Sequence, residues 1–208
     1  DRVGAIVGAH VLAGKVQTDE GLANRPSASI GGFPFLTQAI SGNYKDVTIT
    51  ANNVAVGDVI VSTLTAHLHG MHLSLHSVLH GSVSHVPVDR VNAIVVVTYA
   101  EVNQYLRSQH VAIQVAPGTG NQVHLVERVS RHHKHLSLSG DGTVSVTDNV
   151  FDVNVTKVAG VSALATRLLH ISVPLRGIPF RVDVQSVTSS STGLTGTGGA
   201  TNIVLGSH

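Results

Sequence analysis

The chain has no cysteine and no tryptophan. Disulfides and thiolate metal sites are therefore excluded. Aromatics make up only 3% of the 208 residues, as four phenylalanines and three tyrosines. Yet 42% of residues are hydrophobic and the mean hydropathy is +0.25, so Val, Leu, Ile and Ala carry the apolar mass. Such a composition suits β-structure with smooth aliphatic walls. Charge is scarce too, at 12% of residues and a formal net of +1. A nucleic-acid binder would show a marked basic excess, so no nucleic-acid partner is expected. Long hydrophobic runs are also missing. AIVVV at 93–97 falls far short of the roughly 20 residues a spanning helix needs. No signal peptide is visible, and the expectation is that an export signal has been removed ahead of Asp1. The length fits one domain over residues 1–208.

What is present is alternation. From Lys45 onward apolar residues recur at every second position, as in Val47, Ile49 and Ala51. VAVGDVIV (54–61) reads as two strands around a Gly-Asp turn. The phase shifts after Gly70, which predicts a bulge there. RVNAIVVV (90–97) is apolar on both faces and reads as a buried strand. Further strands are predicted at 111–115, 123–126, 135–139, 143–146, 151–155, 180–187 and 201–205, with Gly140-Asp141-Gly142 as a hairpin turn. A Ser/Thr/Gly-rich turn is expected before the last of these.

Helices interrupt this meander. Val3, Val7 and Val11, with Ile6 beside them, predict an amphipathic helix at the start, ending near Gly21. Pro34 to Gly42 predicts two helical turns, with Phe35, Leu36, Ala39 and Ile40 on one apolar face. Thr98 and Glu101 have capping-box spacing ahead of Tyr99, Val102 and Leu106. SALATRLLHI (162–171) reads as another helix. The fold class is α+β: a long curved antiparallel sheet wrapped around helices.

Two of the four phenylalanines, Phe33 and Phe35, flank Pro34, and RGIPFRVDV (176–184) repeats the Gly-apolar-Pro-Phe pattern with Phe180. The segments SIGGFPFLTQAISGNYKDVTITANNVAVG, VTYAEVNQYL and SVPLRGIPFRVDVQSVTSSSTGL resemble the LmeA-like family of actinobacterial cell-envelope proteins, in the same order along the chain. Residues 32–38, GFPFLTQ, followed by Ser41-Gly42, are the most specific part. The resemblance implies a phospholipid-binding protein outside the cytoplasm. It also implies a supporting role in assembly of mannan-type envelope glycolipids, with envelope biosynthetic enzymes as further partners. No cofactor and no catalytic residues carry over. A tubular lipid-binding domain with an apolar tunnel is the fold this likeness implies.

Excess aliphatic surface agrees with that expectation. Each CH2 moved from water into an apolar cavity contributes ~0.8 kcal/mol. An acyl chain of about sixteen carbons would then contribute on the order of 10 kcal/mol before ordering costs. Residues expected to line a tunnel are Phe33, Phe35, Leu36, Ile40, Val91, Val95, Leu164, Leu168 and Phe180. The basic run ERVSRHHKH (127–135) supplies Arg128, Arg131 and Lys134 as candidates for headgroup or membrane contact, and Arg176 and Arg181 flank the second Pro-Phe site. A peripheral membrane surface is the expected partner.

Residues 67–85 hold a run of histidines. As a strand, His67 and His69 share a face, as do His72 and His76. As a helix, His72, His76 and His80 align. Either geometry brings two imidazoles toward one metal ion. The nearest carboxylate in sequence is Asp89, so a solvated or interfacial face is expected and not a metal site. Protonation below about pH 6.5 would make this face cationic and favour anionic lipid. Enzyme signatures are missing. There is no Gly-x-Ser-x-Gly elbow, no His-Glu-x-x-His, and no Gly-Lys-Ser/Thr beside the glycines at 193–199. Asn154-Val155-Thr156 matches a glycosylation sequon by chance spacing. An enzyme of envelope lipid or glycan metabolism with a dispersed site, or a ligand-free interaction module, are the alternatives.

Overall fold

A computed structural model describes residues 2–74, 76–77, 85–131, 134–158 and 170–205. The chain opens with helix α1 (Arg2–Asp19) and short strand β1 (Ser27–Gly31). Helix α2 (Phe35–Ser41) follows, and then the long strands β2 (Asn43–Val56), β3 (Val59–His72) and β4 (Val86–Thr98). Helix α3 (Tyr99–Ser108) leads into β5 (Ile113–Ala116), β6 (Gln122–Arg131), β7 (Lys134–Thr147), β8 (Val150–Val158) and β9 (His170–Pro174). A single 3-10 turn (Pro179–Arg181) precedes β10 (Asp183–Ser189) and β11 (Gly193–Leu205).

The strands form two antiparallel sheets, ordered β1-β2-β3-β4-β11-β10 and β5-β6-β7-β8-β9. The chain is mostly antiparallel sheet with three helices, as the α+β expectation had it, but the single long sheet expected is two sheets, one of which curls into a half-barrel. The expected tunnel is not shown.

The first sheet departs from strict alternation at one level. Alternation of buried and exposed positions breaks where two consecutive residues face outward: Lys45-Asp46, Asp89-Arg90 and Thr201-Asn202 are exposed pairs, and His69-Gly70 is a half-buried one. Register places all four pairs at one level, with Asp46 opposite His69, His69 opposite Arg90 and Arg90 opposite Thr201. Gly70 and Asn202 take left-handed backbone there (φ 66° and 52°). The phase change predicted at Gly70 is therefore present, but the bulge is not. Neighbouring strands break phase together at this level, so β3 carries no extra residue there against β2 or β4.

Local chemistry explains the helices. Thr98 Oγ1 accepts the Glu101 N–H at 3.4 Å and the Glu101 carboxylate accepts the Thr98 N–H at 2.9 Å, completing the predicted capping box of α3. Gly42 closes α2 in left-handed geometry (φ 71°). The first helix buries Ala9, Leu12, Ala13 and Val16, whereas Val7, Val11 and Ile6 are exposed. The valine stripe does not choose the buried face. The Phe35 ring chooses it instead, lying 3.0 Å from where a Cβ on Gly4 would stand and 3.2 Å from one on Gly8. In α2, Phe35 and Ala39 are buried with Gln38, and Leu36 and Ile40 are exposed.

Three further expectations change. Residues 140–142 do not turn: β7 runs through them, and the glycines accommodate a register shift between Asp141 and Gly142 against β8. The hairpin turns later, at Asp148-Asn149 (φ 51° and 57°), the positive-φ pair that a two-residue loop requires. The Ser/Thr/Gly-rich segment is mostly strand, with Gly193 already paired to Thr98 in β11. Of the helix expected at 162–171, His170 and Ile171 lie in β9 and the remainder falls outside the described residues.

Candidate functional site

The two sheets face each other across an apolar pocket. The first sheet contributes β2, β3, β4, β10 and β11, the second contributes β7, β8 and β9, and α3 adds Val102 and Tyr105. A second phase break, at Ser62-Thr63, lets Val61 and Leu64 both reach the wall. The same level on β4 brings Val95 and Val97 inward. Ten of the seventeen lining residues are valine and only Tyr105 has a polar side chain, so the wall suits hydrocarbon. Its cavity volume is about 70 Å³, room for a few waters and not for an acyl chain without the sheets parting.

Polar groups gather at one rim. Burial raises the Tyr105 hydroxyl above the usual tyrosine range, and the Asp58 carboxylate on the β2–β3 turn adds to that shift. The phenol therefore stays protonated at neutral pH and can donate a hydrogen bond. Arg176 is exposed and lies in sequence between two wall residues, Leu175 and Ile178. Its Cβ is 3.9 Å from where a Cβ on Gly57 would stand, which sets it beside the same turn. Two other contacts tie the sheets together. Asn149 Oδ1 accepts the Val184 N–H at 2.8 Å, and the Gly120 carbonyl, on the β5–β6 loop, accepts the Ser189 N–H at 2.6 Å.

Of the residues predicted to meet lipid, Val95 is in the pocket wall. Val91, Phe35 and Phe180 are not among the lining residues; they are buried in the core that the first sheet forms with α1 and α2, which continues into the pocket wall through Val56, Val61 and Leu64. Phe33, Leu36 and Ile40 face solvent, with Phe33 85% exposed. Leu164 and Leu168 lie outside the described residues. Among the predicted headgroup contacts, Arg176 is at the rim. Arg128, Arg131 and Lys134 fall at the β6–β7 hairpin, where Arg131 pairs with Lys134, and Arg181 ends the 3-10 turn. The side chains of those four are outside the described residues.

Sequence reasoning missed Tyr105 and the valines at 56, 59 and 61. The spacing of Tyr105 from Val102, three residues along a helix, was the available signal.

The histidines form a ladder on the outer face of β3. His67 Nδ1 is 3.1 Å from Thr48 Oγ1, His69 Nδ1 is 2.8 Å from Asp46, and His72 sits between Asn43 and Asp89 at 2.5 and 3.1 Å. No group of three or more His, Asp or Glu able to hold a metal occurs among the described residues. His80 lies outside them.

No curated protein and no solved structure matches the chain. A family model does, over residues 1–199 of 208. With an aliphatic pocket between two sheets and that match along nearly its whole length, the chain belongs to the LmeA-like phospholipid-binding family.

Proposed function

We propose that the protein binds a phospholipid with an acyl chain between its two sheets and the phosphate at the rim, where Arg176 and the Tyr105 hydroxyl offer donors. The observation that carries this reading is the wall itself: seventeen residues from three layers with a single polar side chain among them. A surface of that kind recognises hydrocarbon and gives no purchase to a polar substrate. Arg is suited to the charged end because its fork pairs with phosphate oxygens. Because the cavity holds only a few waters, the ligand enters by separating the sheets along the seam, and α3 moves with it. In this reading the protein works outside the cytoplasm as a carrier or accessory factor for mannan-type envelope glycolipid assembly, handing lipid to biosynthetic enzymes. It is not the glycosyltransferase.

The test is native mass spectrometry of the purified protein with lipid analysis of its organic extract, repeated on Val97→Trp. The wild-type chain should carry a stoichiometric phospholipid, and the indole should exclude it by filling the pocket. A protein that purifies bare and takes no lipid from vesicles overturns the reading. So does a Val97→Trp protein that retains lipid in full.

A further inference from the structure

Nine large apolar side chains are exposed among the described residues, and five of them belong to one corner: Val7 and Val11 of α1, and Phe33, Leu36 and Ile40 in or beside α2. The corner is built to hold them outward. Phe35 plugs into the glycine face of α1, leaving Leu36, its neighbour, and Ile40, one turn on, facing solvent. Val7 and Val11 each follow one of the two contacted glycines by three residues, so they flank the Phe35 contact on the α1 side. Gln38 pins α2 from below. Its Nε2 donates to the Gly31 carbonyl at 3.0 Å and its Oε1 accepts the Lys45 N–H at 3.0 Å.

Charge identifies the occupant. From Gly21 to Lys45 the chain has two basic residues, Arg25 and Lys45, and no Asp or Glu. From residue 2 to Thr18 there is again no acid. The two carboxylates between those segments are engaged. Asp19 accepts from Lys15 Nζ at 2.7 Å, and Glu20 accepts from the Phe180 N–H at 3.3 Å. Asp46 borders the corner opposite Gly31 and is held by His69 Nδ1 at 2.8 Å. An apolar tip bordered by Arg25 and Lys45, with its neighbouring described carboxylates engaged, complements an anionic bilayer, with rings and aliphatic chains below the phosphates and basic groups level with them. No helix among the described residues is long and apolar enough to cross a membrane.

We infer that this corner is a membrane-docking surface, distinct from the pocket, that inserts Phe33, Leu36 and Ile40 into the face of an anionic phospholipid bilayer. The inference rests on the phospholipid reading only for the choice of a bilayer over a protein, and its failure can be told apart from failure of that reading.

The test uses sedimentation with vesicles of phosphatidylglycerol and phosphatidylcholine, alongside binding of a monomeric short-chain phosphatidylglycerol. Phe33→Ser, Leu36→Ser and Ile40→Ser should each weaken vesicle partitioning by about tenfold, since each removes one buried side chain from the bilayer. They should leave binding of the monomeric lipid and the melting temperature unchanged. Val97→Trp should do the reverse, and Ile60→Ser and Ile94→Ser, exposed elsewhere, should do neither. Because the chain has no tryptophan, Phe33→Trp gives a lone reporter whose emission should shift to the blue on anionic vesicles. Unchanged partitioning in all three serine variants, or an indole at 33 that stays in water, overturns the inference. So does sedimentation showing self-association that those substitutions abolish, which would make the corner a contact between copies.

Discussion

Phe33 and Phe35 differ by two positions and have opposite environments. The first is 85% exposed and the second is buried against α1 and 6.3 Å from the Tyr44 ring. Phe35→Ala should therefore cost about 3–5 kcal/mol in denaturant unfolding, as large core truncations do. Phe33→Ala should stay within about 0.5 kcal/mol. Phe180 belongs with Phe35. It is 2% exposed and held in left-handed backbone (φ 63°), so Phe180→Ala should cost a similar amount. The Gly-x-Pro-Phe pattern marked both sites in the sequence, but Phe35 and Phe180, expected to line a tunnel, plug one core cluster instead. The role of Phe33 was not legible either, because two aromatics around one proline look alike until the helix phase is known.

Burial also sets an alkaline limit at residue scale. It raises the Tyr44 hydroxyl above its ordinary value near 10, and Tyr105 is raised for the same cause with help from Asp58. A folded-state value above the unfolded one means the folded chain holds its proton longer. That contribution is complete below about pH 10 and is lost as pH climbs through the raised value. Thermal unfolding should accordingly fall off in strongly alkaline buffer, with a shallower decline in Tyr44→Phe. An equal decline in the two proteins would assign the effect elsewhere.

At the scale of elements, caps and alternation were readable and turns were less so. The Thr98/Glu101 box is visible in sequence because its partners are three residues apart. Thr98→Ala should cost about 1 kcal/mol, read as a drop in the unfolding midpoint. Gly140-Asp141-Gly142 misled because glycine serves a strand as well as a turn. A Cβ on Gly142 would meet the Asn154 carbonyl at 3.2 Å, so close strand approach requires the gap. At Gly70 a Cβ would stand 2.1 Å from the Asp89 carboxylate, in backbone with positive φ. Gly70→Ala should destabilise by about 1–3 kcal/mol, and it should also displace Asp89 from His72. A histidine resonance at position 72 that does not move in the variant would contradict that coupling.

For the whole molecule, the sheet content was evident and the division into two sheets was not. Alternation fixes which residues share a face but carries no record of which strands pair. The pocket wall draws on segments from Val56 to Gly196, a separation no local pattern reports. Its narrowness sets an expected response. A lipid that parts the sheets and then fills the gap should raise the unfolding free energy by about 2.7 kcal/mol at a hundredfold excess over its dissociation constant. Amides of β10 and α3, on either side of the seam, should exchange hydrogen faster in the lipid-free protein than in the loaded one. Identical exchange in both would leave the sheets as a rigid clam with no need to open.

The shared phase break of β2, β3, β4 and β11 also constrains how the gene can change length. A deletion of one residue in any of these strands would put every side chain beyond it out of step with its neighbours, and the pairings among the four carry no bulge to absorb the slip. Such a strand could be shortened only together with its partners, at hairpin ends and by matched numbers. Family members should therefore gain and lose residues at the β2–β3 and β10–β11 turns and almost nowhere along the four strands between.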